Sequence, residues 1–162
     1  MVRRLLALFI LEDEVPLITK VNTNELIEEV FEDVKLLGNE NTKIKIDNLP
    51  ILTTDRSLLK QIFTNLLSNA VKFSNKEESP LITVTSKSES NSHTIIIKDN
   101  GIGISSGFNK LFMPLMRYSN TGNFESVGLG LVIVKRITEK LKGTVSVIPQ
   151  DKGLCIELSF PA

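Results

Sequence analysis

Sulfur, imidazole and large aromatics are scarce: 162 residues hold one cysteine, one histidine, one tyrosine and no tryptophan. The lone Cys155 excludes an internal disulfide and suits a reducing compartment. With aromatics at 6%, the chain lacks the stacking platforms that single-stranded nucleic acids require. Net charge is also missing, Lys+Arg 19 balancing Asp+Glu 19. No global field therefore draws in DNA, RNA or anionic lipid. No repeat occurs, and the one biased stretch is SKSESNS at 86–92. No apolar run approaches the roughly 20 residues that span a bilayer. The apolar residues at 5–11 follow Arg3 and Arg4 and meet Glu12, Asp13 and Glu14, without a small-residue cleavage site. They read as part of an amphipathic helix rather than a targeting segment. What remains is ordinary globular material, 41% hydrophobic and 23% charged. The expectation is one soluble, cytoplasmic domain.

Periodicity lays out its elements. A short strand at 16–21 leads to Asn22 and Glu25, spaced as a capping box. The helix they open carries Leu26, Ile27, Val30, Phe31, Val34 and Leu37 at helical spacing and ends near Gly38. TKIKID at 42–47 alternates with period two, as a half-buried strand does, and a second short strand surrounds Leu52. Asp55 is placed to cap the longest helix, to about Phe73, with a stripe of Leu58, Leu59, Ile62, Phe63, Leu66, Leu67 and Ala70. Strands follow at 81–86 and 94–99, with SKSESNS as a polar hairpin tip. Residues 101–126 have weak periodicity and read as a long loop, of a length that is usually either a functional lid or disordered. A last helix at 129–141 and strands at 144–149 and 154–160 complete the chain, punctuated by Gly143 and Gly153. This pattern predicts an α+β two-layer sandwich, a mixed sheet with helices on one face.

Three constellations carry chemistry. On the long helix, Gln61, Asn65 and Asn69 recur every four residues, with Lys72 and Phe73 one turn on. Such a polar stripe is either a solvated face or a ligand wall, with an Asn carbonyl for a hard cation and a Lys for phosphate. Next, Asp99-Asn100-Gly101-Ile102-Gly103 follows Ile95, Ile96 and Ile97. A carboxylate at a strand end beside two glycines is a plain turn or a place where a planar base meets the backbone. There Asp99 would accept from an exocyclic amine such as adenine N6, whereas guanine presents an oxygen. Finally, Ser126-Val127-Gly128-Leu129-Gly130-Leu131 opens the last helix, where exposed amides suit phosphate oxygens and glycines equally suit close helix packing. The patterns of a P-loop and of a Rossmann site are both absent.

In this order, with a loop between the second and third, the motifs resemble those of the catalytic ATP-binding domain of sensor histidine kinases. Gyrase, heat-shock chaperone and mismatch-repair ATPases share its fold. LKQIFTNLLSNAVKFS is similar to the family's N box, KDNGIGI to its first glycine box and GLGLVIVKRI to its second. LFMPLMR resembles the phenylalanine box within an ATP lid at about 104–127. Residues 1–14 resemble the end of the dimerisation hairpin and its linker, and 15–162 the catalytic domain, a Bergerat ATP-binding fold. The resemblance implies ATP and Mg²⁺ as cofactors. Asn69 becomes the Mg²⁺ ligand, and Asn65 lies beside the phosphates. Lys72 contacts phosphate and Phe73 lines the pocket. Asp99 reads adenine, with Gly101, Gly103 and Ile104 around the base. Phe112 anchors the lid, Arg117 reaches the γ-phosphate, and Gly128, Leu129, Gly130 and Leu131 shape the phosphate end. Asn65, Lys72 and Arg117 are the residues implied for catalysis.

The implied partners are ATP or ADP, a histidine-containing dimerisation domain and a response regulator. Nucleic acid and direct membrane contact are not implied, and the chain is expected to be a monomer. Leu115 departs from a second lid Phe, and Ser126 from a further glycine. His93, in SNSHTIII, lacks the acidic and proline neighbours of a phosphoacceptor and reads as a surface residue. The chain thus looks like a catalytic fragment whose acceptor lies elsewhere. Two alternatives accompany this reading: a regulatory nucleotide-binding module without transfer, and an anti-sigma-type protein serine kinase of the same fold.

Overall fold

The computed structural model describes residues 15–104, 111–113 and 129–162. Within them the order is β1 (Ile18–Asn22), α1 (Thr23–Leu37), β2 (Lys43–Ile46), β3 (Ile51–Asp55), α2 (Arg56–Ser74), β4 (Leu81–Ser88), β5 (Ser92–Asp99), α3 (Gly130–Lys140), β6 (Thr144–Ile148) and β7 (Cys155–Pro161). The expected hairpin end at 1–14 and most of the expected lid lie outside the described residues.

Five strands form one mixed sheet in the order β2-β4-β5-β7-β6. The β2–β4 pair is parallel, because β3 and α2 intervene between them; the other pairs are antiparallel. β1 and β3 do not join this sheet but pair with each other as a separate antiparallel ribbon, Ile18 opposite Asp55 and Asn22 opposite Ile51.

Alternation sets the sheet's two faces. Ile82 and Val84 of β4, Ile95 and Ile97 of β5, and Ile156, Leu158 and Phe160 of β7 point into one core. From the helical layer that core receives Leu26, Ile27 and Val30 of α1, Leu59, Ile62 and Phe63 of α2, and Ile133, Val134 and Ile137 of α3. Each such large apolar side chain, fully buried, contributes about 1.5–3 kcal/mol before ordering entropy is subtracted.

The capping box at α1 forms with one change of partner. The Glu25 N–H donates to Asn22 Oδ1 at 3.4 Å, while Asn22 Nδ2 donates to the Glu25 carboxylate at 2.8 Å. The return bond therefore joins side chain to side chain. The β4–β5 strands also run further than their apolar residues foretell: pairing continues to Ser88 opposite His93, so SKSESNS is largely strand. Backbone pairing is indifferent to side-chain polarity at a solvent-exposed hairpin end. His93 Nδ1 and Ser88 Oγ share a hydrogen bond of 2.9 Å there.

Candidate functional site

The long helix supplies the first wall. Asp55 holds its start with both oxygens: Oδ1 accepts the Leu58 N–H at 3.0 Å and Oδ2 the Leu17 N–H at 2.7 Å. With Leu59, Ile62, Phe63, Leu66 and Leu67 committed to the core, Gln61, Asn65 and Asn69 fall half-buried at its margin. Asn65 Nδ2 donates to the Gln61 carbonyl one turn back at 2.9 Å. This turns its carbonyl oxygen towards the start of α3. A Cβ at Gly130 would lie 3.1 Å from Asn65 Oδ1 and 3.9 Å from Asn69 Nδ2. Glycine at 130 thus keeps side-chain bulk out of the space between the two amides and the beginning of α3. Leu129, at the N-cap, has no side chain with which to cap the helix. One turn beyond Asn69, Lys72 is exposed, its Nζ 5.6 Å from the centre of the Phe73 ring, within cation–π range.

The second wall is the turn after β5. Asp99 is buried, 5% exposed. Its Oδ1 accepts the Gly101 N–H at 2.8 Å, an Asx-type turn, and the Leu154 N–H at 3.3 Å. Among the described residues both hydrogen bonds to the carboxylate fall on Oδ1. Burial pushes the Asp99 pKa above the usual carboxylate value, and the two backbone donors work against that rise. Asn100 turns the other way, accepting the Leu81 N–H at 2.9 Å and donating to the Ser79 carbonyl at 2.8 Å.

This turn is fastened to the end of α2. The Ile102 N–H donates to the Phe73 carbonyl at 3.2 Å. A Cβ on Gly101 would stand 2.3 Å from the same carbonyl oxygen, so a side chain there would break the contact. Asp99 and the Asn65–Asn69 stripe are therefore brought to one helix through Phe73. Gly103 and Ile104 continue from the turn, both half-buried. Phe112 and Leu131 pack against the core margin, and Leu129 is buried. Arg117 and Gly128 lie outside the described residues, as do Leu115 and Ser126. His93 is the second residue of β5 while Asp99 ends it, roughly 20 Å apart at strand rise.

Sequence reasoning missed one contributor. Gly153, read as strand punctuation, and Leu154 form a turn that lies directly on Asp99, and Gly153 takes a φ of +75°. The signal was present only as an isolated glycine ahead of a strand.

Residues 54–162 match the family model described as histidine kinase-, DNA gyrase B-, and HSP90-like ATPase. The chain belongs to this ATPase family. It is an ATP-binding domain of the histidine-kinase type, and its curated relatives include sensor proteins. The sensor protein RprX of Bacteroides fragilis is 33% identical over 78% of this chain and 26% of its own length. The autoinducer 2 sensor kinase/phosphatase LuxQ of Vibrio vulnificus is 36% identical over 68% of this chain and 15% of its own. The solved histidine kinase AdeS of Acinetobacter baumannii shares the fold at a TM-score of 0.78 and 23% identity, over 99% of this chain and 76% of that one. The chain spans about a fifth of the length of the curated relatives it matches. Among the described residues, no helix of this ATPase-family domain is long and apolar enough to cross a membrane.

Proposed function

We propose that this domain binds Mg·ATP between α2 and the Asp99 turn and delivers the γ-phosphoryl group to a histidine on a separate dimerisation domain, which passes it to a response regulator. One observation carries the reading. A buried carboxylate with one oxygen satisfied by backbone donors stands at one end of α2, and two helix amides facing a glycine stand nearer its middle.

Asp99 offers Oδ2 to the adenine N6–H, a charged hydrogen bond worth about 1.5–3 kcal/mol. Gly101, Gly103, Ile104 and Phe73 surround the base. Asn69 would hold Mg²⁺ through its side-chain carbonyl. One neutral oxygen suits this ion, which keeps much of its water shell. Bound there, Mg²⁺ supplies neutralisation of phosphate charge. Lys72 and Arg117 add positive charge at the phosphates, while Gly128, Leu129, Gly130 and Leu131 shape the space around them, beneath a lid anchored by Phe112.

Positioning and charge stabilisation then suffice for in-line transfer. The acceptor imidazole nitrogen bonds to the γ-phosphorus as the bond to the β,γ-bridging oxygen breaks, and ADP leaves. Asn65 bears on the choice of acceptor. It faces the start of α3 at the stripe's centre, and an amide cannot take a proton from water, so transfer is favoured over hydrolysis.

The test is incubation of the chain with γ-labelled ATP and a supplied dimerisation hairpin. Label on a hairpin histidine, lost in its His→Gln variant, is expected. Label on a serine, or release as inorganic phosphate, would overturn the reading.

A further inference from the structure

We infer that the β6–β7 turn, through the Leu154 N–H and Gly153, is a positioning element that holds the Asp99 carboxylate in one orientation towards the base and thereby sets the choice of adenine over guanine. The inference rests on the nucleotide-site reading above and adds to it residues far away in sequence.

A carboxylate is symmetric about its Cβ–Cγ bond, so nothing intrinsic decides which oxygen faces a ligand. Here two donors break the symmetry on the same atom, the Gly101 N–H at 2.8 Å and the Leu154 N–H at 3.3 Å, both to Oδ1. Gly101 belongs to the carboxylate's own turn and moves with it. Leu154 does not: it reaches Asp99 across 55 positions. The contact is reciprocal, since the Asp99 N–H donates to the Leu154 carbonyl at 3.0 Å. Rotation of the carboxylate therefore works against an anchor outside its own turn.

Backbone shape sustains that anchor. Gly153, at φ +75°, lies so close that a Cβ would sit 1.9 Å from the Asp99 carbonyl oxygen and 3.1 Å from Asn100 Cα. Gly103, at φ +65°, returns the contact, its Cβ position 2.7 Å from the Gly153 carbonyl oxygen. Two left-handed glycines thus face each other, a conformation that most other residues rarely adopt. Lys152 Nζ, donating to Glu77 Oε2 at 2.5 Å, ties the turn's preceding residue to the segment after α2. The turn is thereby joined to the carboxylate and, through an exposed ion pair, to the segment after α2.

Adenine presents the N6 amino group where guanine presents O6, but guanine also carries donors at N1 and N2. A carboxylate locked with Oδ2 forward takes the adenine amine. One able to rotate or shift can reach the guanine donors instead. Discrimination then depends on how firmly Oδ1 is held.

The experiment replaces Leu154 by its α-hydroxy acid in the full chain, which exchanges one N–H for an ester oxygen and keeps the side chain. ATP and GTP affinities are then measured by calorimetry, alongside thermal melting. The expected result is about a tenfold fall in the ATP-over-GTP ratio, the size of one hydrogen bond to a charged group. An unchanged ratio, or equal loss for both nucleotides as a structural role alone would give, overturns the inference. An independent measurement on the wild type keeps the test decisive if the ester variant does not fold. The Leu154 amide proton should shift on ATP addition and stay in place with GTP, and an amide unmoved by ATP, or moved equally by GTP, overturns the inference. If the wild type shows no preference for ATP, the nucleotide-site reading itself fails. If it has that preference and the ester variant keeps it, only the role of the turn fails.

Discussion

Replacing Asp99 with Asn changes one atom at the centre of the proposed site, and its consequence follows from the hydrogen bonds already present. Oδ1 accepts from the Gly101 and Leu154 N–H groups. The Asn carbonyl must keep that place, because the amide's NH₂ would set donor against two donors. The NH₂ group therefore replaces Oδ2 and points a donor at the adenine amine. The lost charged hydrogen bond, about 1.5–3 kcal/mol, weakens ATP binding by about 10- to 150-fold, and donor–donor repulsion takes it towards the upper end. Inosine triphosphate carries an oxygen at the same ring position and should gain relative to ATP.

Stability should move the other way. The native pKa of Asp99 is raised above the 3.8 of an ordinary exposed carboxylate, chiefly by burial. Between that value and the raised one the folded protein holds more proton than the unfolded chain. Its stability contribution therefore falls as pH rises through this window and stays lower above it. Asn removes the cost of the buried charge while retaining an acceptor for both backbone donors. Calorimetry with ATP and inosine triphosphate, and melting at neutral pH, separate the two effects. The expected result is lost ATP affinity with an equal or higher melting temperature. Undiminished ATP binding would refute the base-reading role, and a lower melting temperature would refute the electrostatic reasoning.

The elements that build the site were legible because their causes are local. The apolar stripe beside Asn65 and Asn69 dictates a helix whose margin carries both amides. Asp55 announces the helix start, and Asp99 followed by glycines announces the turn. What escaped was long-range. That β1 pairs with β3, apart from the five-stranded sheet, joins strands on either side of α1 and β2, and no local pattern records it. The extension of β4–β5 into SKSESNS rests on backbone pairing, to which polar side chains add no signal. Gly153 is the clearest case. A glycine before a strand has many uses, and its use here is set by the carbonyl of Asp99, distant in the chain and adjacent in the fold.

Four further substitutions probe the site's supports. Gly101→Ala drives a Cβ to 2.3 Å from the Phe73 carbonyl oxygen. Relief requires backbone movement costing about 1–3 kcal/mol, so melting temperature and ATP affinity should fall together; a wild-type value of either refutes the close-contact argument. Asp55→Ala removes the α2 cap and the acceptor of the Leu17 N–H, at about 2 kcal/mol, or about 4–8 °C in melting temperature. ATP affinity measured below the melt should stay within about twofold, since Asp55 lies at the opposite end of α2 from Phe73; a larger loss would place the site elsewhere. Asn69→Ala tests the metal assignment through a difference between two titrations. Asn69 carries no charge, so its loss leaves the field at the phosphates unchanged, and ATP binding without Mg²⁺ should match wild type. Only the gain in affinity on adding Mg²⁺ should shrink. Lys72→Ala, which removes a charge, should instead weaken binding in both conditions. If Asn69→Ala keeps the full Mg²⁺ gain, the cation is held without Asn69, and the polar stripe of α2 serves the phosphates through Lys72 alone.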